Sequence, residues 1–236
     1  MENRADNAIY LSIPQTVSTF ARFFGATIET GIKELLRLGD SHEMMRLWAK
    51  KSLDILGVEL TIKGIENVNL DEPQVFCANH QGNVDILIMN ISVPVKFYWV
   101  YKHTLNYAPI IGTYLIRNGH IPVNRSNREL AHASIRRAGE RIRAGQNIVL
   151  FPEGTRSGGP ELLPFKKGAF WLAKECGVPV VPITIEDSWK LMKKNSLKLR
   201  RCPVTVTFHP PVDPTGLEVD ELLEKVRESI VKGLQS

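Results

Sequence analysis

The chain has 236 residues, 43% of them hydrophobic and 23% charged, a make-up that excludes wholesale disorder. That length can bury a substantial core as one large domain or as a domain with an appendage. The formal net charge of +5 favours anionic partners such as phosphate esters, anionic lipid or acidic carrier proteins.

Near the amino terminus no basic region precedes a long apolar run and a small-residue cleavage site, so a secretory signal is not expected. Ala8 to Ala21 carries no charge but is too short to cross a bilayer and contains Pro14 and Gln15. Ser12 followed by Pro14 starts a helix. Val17, Phe20, Phe23, Phe24, Ile28, Ile32, Leu35 and Leu36 recur along it at helical spacing, and Gly39 stops it. Asp40 with Glu43 resembles a capping box for a second helix, with Met44, Leu47, Trp48 and Leu56 on one side and Arg46, Lys50 and Lys51 on others. Residues 1–57 therefore read as an amphipathic helical hairpin. Its apolar stripe either packs on the core or lies in a membrane interface, with Tyr10, Leu11, Ile13, Phe20, Phe23 and Phe24 as the interfacial residues.

From Val58 the pattern changes to short β-rich runs at Val58–Ile62, Gln74–Ala78, Phe97–Tyr101, Asn147–Phe151, Val180–Ile185 and Val204–Phe208. Helices are expected between and after them at Val84–Ile91, Asn127–Ala144, Lys167–Cys176 and Leu217–Leu234. The alternation makes residues 58–236 an α/β domain, a central mixed sheet flanked by helices. Cys77, Cys176 and Cys202 are scattered without a CxxC pair, so neither zinc nor disulfides are expected and a reducing compartment fits. Motifs of serine hydrolases (GxSxG), dinucleotide enzymes (GxGxxG), P-loop enzymes and zincins (HExxH) are not found.

Four clusters remain. Asn79-His80-Gln81-Gly82-Asn83-Val84-Asp85 follows the apolar run Val75–Ala78, at the end of a strand and before a helix. With His80 in the turn and Asp85 in the first turn of the helix, the carboxylate can fold back onto the imidazole. That fixes the tautomer and raises the basicity of the other nitrogen, the arrangement of a general base. The plain alternative is a structural histidine beside an ordinary early-helix acid. Phe151-Pro152-Glu153-Gly154-Thr155-Arg156-Ser157 also follows a strand: Gly154 admits close backbone approach, Thr155 offers a hydroxyl and Arg156 a forked donor for phosphate. Its alternative is a turn with a solvated charge pair. In Gly119-His120-Ile121-Pro122-Val123-Asn124-Arg125, Arg125 is the better phosphate candidate, and the helical arginines after it (Arg128, Arg136, Arg137, Arg141, Arg143) read as a solvated face. The fourth, Val178–Ile183, is by itself a buried strand with prolines at its ends. Lys190, Lys193, Lys194, Lys198, Arg200 and Arg201 form a basic run that is either solvated or turned to anionic lipid.

These clusters, in this order across residues 75–185, resemble the glycerophospholipid acyltransferase family, specifically the 1-acylglycerol-3-phosphate acyltransferases, through NHxxxxD and FPEGTRS. The resemblance implies that His80 and Asp85 are the catalytic pair. It implies that Arg125, Glu153, Gly154, Thr155 and Arg156 meet the acceptor phosphate, with Lys102 matching a lysine common between the first two motifs. Gly82, Pro122 and Asn124 depart from residues frequent in the family while leaving this chemistry intact.

The expected reaction is transfer of a fatty acyl group from acyl-coenzyme A or acyl-carrier protein to the sn-2 hydroxyl of lysophosphatidic acid, giving phosphatidic acid. No metal and no bound cofactor is implied, and no nucleic acid is expected as a partner. The enzyme would sit as a peripheral or monotopic protein on the cytoplasmic face of a membrane. Glycerol-3-phosphate or another lysophospholipid is the alternative acceptor, and a non-catalytic lipid-binding protein is the alternative from another class.

Overall fold

The computed structural model describes residues 8–192, 196 and 198–235. Two of the lysines in the basic run, Lys193 and Lys194, lie outside the described residues.

A short strand β1 (Ile9–Tyr10) leads into α1 (Ile13–Leu35) and α2 (Ser41–Leu56), the expected hairpin. Asp40 caps α2, its Oδ1 accepting the Glu43 N–H at 2.9 Å. The stop of α1 comes earlier than Gly39. Arg37 turns left-handed at φ 54 and the Leu38 N–H donates to the Lys33 carbonyl at 3.0 Å, which satisfies one of the last carbonyls of the helix.

The orientation of α1 inverts the usual arrangement. Its buried residues are Thr19, Ala26 and Glu34, and Thr27 accepts the Trp48 indole N–H at 3.1 Å. The apolar stripe Ile13, Val17, Phe24, Ile28, Ile32 and Leu35 points the other way and is more than half exposed at every position. These positions thus turn away from the core, whereas Phe23 of the same stripe packs against it beside Trp48. Within the expected interfacial set, Tyr10, Ile13 and Phe24 are exposed, while Leu11, Phe20 and Phe23 are half-buried.

The other strands are β2 (Glu59–Lys63), β3 (Val75–Ala78), β4 (Phe97–Lys102), β5 (Ile121–Val123), β6 (Asn147–Leu150), β7 (Val180–Glu186), β8 (Arg200–Arg201) and β9 (Pro203–Phe208). β8 pairs antiparallel with β1, so the start of the hairpin is stitched to Arg200 and Arg201. The rest form a seven-stranded sheet in the order β2-β9-β7-β3-β6-β4-β5. From β7 to β5 the strands run parallel, whereas β9 is antiparallel to β7 and β2 parallel to β9, giving the mixed sheet expected.

Helices α3 (Asp85–Ser92), α4 (Ile111–Arg117), α5 (Arg128–Arg143), α6 (Gly168–Cys176), α7 (Ser188–Leu191) and α8 (Val219–Gln235) complete the chain. Trp48 and Leu53 of α2 and Leu87 and Ile88 of α3 bury against Phe76, Val149 and Ile183 on one face of the sheet. Ala138 and Ile142 of α5, Phe170 of α6 and Val226 and Ile230 of α8 bury against Val75, Ile148 and Val180 on the other. The central strands are buried on both faces, which is why they read as continuous apolar runs.

β1, β5, β8, α4 and α7 have no counterpart among the expected elements. Each spans two to seven residues, too few for a period to register. Among the described residues no helix is long and apolar enough to cross a membrane.

Candidate active site

Because β3, β4, β5 and β6 are parallel, their carboxyl ends open at one edge of the sheet, where α/β proteins place ligands. His80 follows β3, Lys102 ends β4, Arg125 follows β5 by two residues and the Phe151–Ser157 loop follows β6.

The turn after β3 is pinned on both sides. Asn79, itself buried, donates to the Ile185 carbonyl at 2.9 Å and accepts the Ile185 N–H at 2.7 Å, which fastens the turn to β7. Asp85 opens α3 and is fully buried. Its Oδ2 accepts three donors: His80 Nδ1–H at 2.7 Å, Gln81 N–H at 2.7 Å and Gly82 N–H at 2.8 Å. The carboxylate therefore folds back on its own turn, as the five-residue spacing allows. Asp85 holds the proton of the neutral imidazole on Nδ1 and leaves Nε2 as the basic nitrogen. The His80 side chain retains 13% exposure, so the ring is reachable while its partner is not.

The second loop grips the same histidine. Glu153 is buried, and its two oxygens accept the backbone N–H of His80 at 2.6 Å and of Leu163 at 2.9 Å. Ser157 N–H donates to the His80 carbonyl at 2.8 Å and Gly158 N–H to the Gln81 carbonyl at 3.2 Å. Burial, helped by the nearby Asp85 charge, raises the Glu153 carboxyl to about 7 against the pull of its two N–H donors. Glu153 thus has both oxygens committed to backbone N–H groups and ties the two motifs together.

Gly154 sits at φ 72, a left-handed conformation that suits glycine, and its carbonyl accepts Arg125 Nη1–H. Thr155 and Arg156 are exposed and make no polar contact with the other described residues. Lys102 is likewise exposed at the end of β4, paired in register with Val123, two residues before Arg125. The structure adds a cation the motifs did not point to. The Lys166 ammonium lies 3.1 Å from the place a Cβ on Gly154 would take. Its signal was faint, the pair Lys166-Lys167 twelve residues past the glycine.

Phe151 opens the second motif, where the sequence assigns it no role, and its ring lies against His80 with centroids 3.9 Å apart and planes 10° from parallel. Val178–Ile183 supplies most of β7 and stays structural, with its valines and Ile183 fully or nearly buried. The described residues contain no group of three or more His, Cys, Asp and Glu side chains that could hold a metal ion.

Such a site combines a carboxylate-oriented imidazole, suited to taking a proton, with Arg125 and Lys166 beside Gly154, cations that form no ion pair among the described residues and suit an anionic group. Comparison with known proteins gives that chemistry a family. The sequence matches the family model described as Acyltransferase over residues 59–186. It is 33% identical over 195 residues to a chloroplastic 1-acyl-sn-glycerol-3-phosphate acyltransferase of Brassica napus, covering 82% of this chain and 56% of that one. With the 1-acyl-sn-glycerol-3-phosphate acyltransferase of Borreliella burgdorferi it shares 32% over 196 residues, 82% of this chain and 78% of that one. The crystal structure of the 1-acyl-sn-glycerophosphate (LPA) acyltransferase PlsC from Thermotoga maritima matches with a TM-score of 0.83 at 26% identity, covering 94% of this chain and 95% of that chain. The chain spans little more than half the length of the plant relatives, 56% and 54%. With the family model, the relatives and the fold in agreement, this chain belongs to the acyltransferase family.

Proposed function

We propose that the protein transfers a fatty acyl group from a thioester to the sn-2 hydroxyl of lysophosphatidic acid, giving phosphatidic acid. The observation that carries this reading is the His80–Asp85 hydrogen bond of 2.7 Å at the sheet edge where Arg125 and Lys166 both meet Gly154. The activities for which the relatives are named support the acceptor.

The acceptor phosphate docks against Arg125, Arg156 and Lys166, with Lys102 at the rim, and Gly154 leaves room for it. This brings the free hydroxyl to His80 Nε2. Nε2 removes the proton, the oxygen attacks the thioester carbonyl, and collapse of the tetrahedral intermediate breaks the C–S bond. The thiolate takes back the proton from His80. Asp85 keeps the imidazolium in place throughout. A general base of this kind contributes about 10²–10⁴ in rate, and positioning contributes more. Because a thiol leaves readily, side chains alone suffice and no cofactor or acyl-enzyme enters.

The donor is acyl-coenzyme A or acyl-carrier protein, both anionic, which suits a cationic rim. The protein sits as a peripheral or monotopic enzyme on the cytoplasmic face of a membrane, with residues 1–57 as its anchor. The exposed stripe of α1 supports that placement, since an apolar face of this extent turned from the core marks an interface.

The test is acyl transfer to lysophosphatidic acid and to glycerol-3-phosphate from each donor, with His80→Ala as the blank. Phosphatidic acid formed by the wild type and lost in the variant is the expected result. Transfer confined to glycerol-3-phosphate replaces the acceptor. Lipid binding without transfer to either acceptor from either donor overturns the enzymatic reading in favour of a lipid-binding protein.

A further inference from the structure

The Asp85 hydrogen bond fixes one point of the His80 ring. It leaves the ring free to rock about the Nδ1···Oδ2 line, and a base that rocks spends time misaligned with the acceptor hydroxyl. Phe151 removes that freedom: its ring covers one face of the imidazole with centroids 3.9 Å apart and planes 10° from parallel. Phe151 is itself backed by Trp99 at 5.6 Å and 28°, and Trp99 meets the fully buried side of Phe97 edge-on at 5.3 Å and 85°. A half-buried phenyl against a buried indole has little room to withdraw. Two residues on, Glu153 holds the His80 backbone N–H at 2.6 Å. One loop therefore grips both the ring and the main chain of His80.

We propose that Phe151 is the positioning residue of His80: its ring fixes the plane of the imidazole and, when His80 takes the hydroxyl proton, stabilises the imidazolium through its π face. This rests on the general-base reading above. A cation within about 6 Å of an aromatic centroid is attracted by the ring quadrupole. The attraction exists only after proton transfer begins, so it lowers the barrier without tightening the ground state. The effect belongs in kcat rather than in KM.

The experiment compares Phe151→Leu and Phe151→Tyr with the wild type in the acyl-transfer assay. His80→Ala is the blank, and the His80 ring-proton shift is followed by NMR. Phe151→Leu keeps an apolar side chain of similar bulk but has no π face. Its kcat is expected to fall about tenfold with KM for both substrates within about twofold. Phe151→Tyr keeps the ring and is expected to restore kcat and the upfield ring-current shift of His80. Full kcat in Phe151→Leu, or equal losses in the Leu and Tyr variants with folding intact, would overturn the proposal. A wild type silent on lysophosphatidic acid would sink the acceptor reading instead. Phe151 is then judged on whichever acceptor gives turnover that His80→Ala abolishes, and silence on every acceptor overturns both.

Discussion

The side chain of Ile110 stands where a Cβ on Gly31 would have to be, its Cγ2 2.5 Å from that position. Ile110 precedes α4 with φ 67 and ψ −61, and the Ile111 N–H closes a tight turn on the Pro109 carbonyl at 2.7 Å. A β-branched residue there is strained, and α1 is the element it packs on. Helix α1 is thereby keyed to the segment that leaves β4 at Lys102. Gly31→Ala is expected to cost about 1–3 kcal/mol by overpacking, read as a lowered urea midpoint at unchanged slope. Adding Ile110→Ala should recover part of the loss relative to the sum of the single changes. Additive effects would mean that the two residues do not share the space.

Glu153 gives a pH dependence of stability. Its carboxyl titrates at an ordinary 4.5 when unfolded and near 7 in the folded chain because burial disfavours its charge. A raised folded value means that the stabilising contribution is complete below about 4.5 and is lost as pH rises towards 7. Relative to Glu153→Gln, which cannot ionise, the wild type should therefore lose stability between pH 5 and 7 and level off above. Denaturant titrations at pH 5, 6, 7 and 8 check this. A constant difference would mean that the His80 and Leu163 N–H donors keep the carboxylate charged across the whole range.

These two features separate what the sequence discloses from what it conceals. Val75–Ala78 and Asn147–Leu150 were visible because strands buried on both faces are unbroken apolar runs. The His80–Asp85 contact was visible because their short separation needs only a turn. The direction of Glu153 was not, because whether it meets Arg156 or a backbone N–H depends on the path of two loops from different strands. Lys166 joins Gly154 through a loop whose course leaves no periodic trace. The stripe of α1 was plain, but periodicity reveals only that a helix has an apolar face. Which surroundings that face meets is decided by α2, which takes the Thr27 and Ala26 side instead.

The cations around Gly154 should act on acceptor affinity. Lys166→Gln and Arg125→Gln are each expected to raise KM for lysophosphatidic acid about tenfold, with kcat within about threefold. A charge-assisted hydrogen bond at a partly exposed site has that order of worth. Arg156→Gln should behave alike, and Lys102→Gln should do less. Raising the ionic strength should narrow every difference, since exposed charges are screened. Lys166→Arg should retain the wild-type KM, and an unchanged KM in Lys166→Gln would remove this lysine from the phosphate site.

The inverted amphipathicity of α1 makes its proposed role as an anchor testable without harming the fold. Ile28 and Ile32 are 53% and 52% exposed, one turn apart on the outer stripe, so replacing both by Ser removes few packed contacts. Surface changes of that kind normally shift stability by less than about 0.5 kcal/mol each. In a membrane interface the same side chains leave water, and fully burying an isoleucine is worth about 1.5–3 kcal/mol. Ile28→Ser/Ile32→Ser should therefore weaken liposome binding by at least about tenfold while the thermal midpoint stays nearly fixed, as measured by flotation and by calorimetry. A drop in the midpoint with binding retained would instead mean that the stripe packs on protein. Loss of binding on substituting Lys198 and Arg201, with the isoleucine variant unaffected, would move the anchor to the basic segment that β1 and β8 hold beside the start of α1.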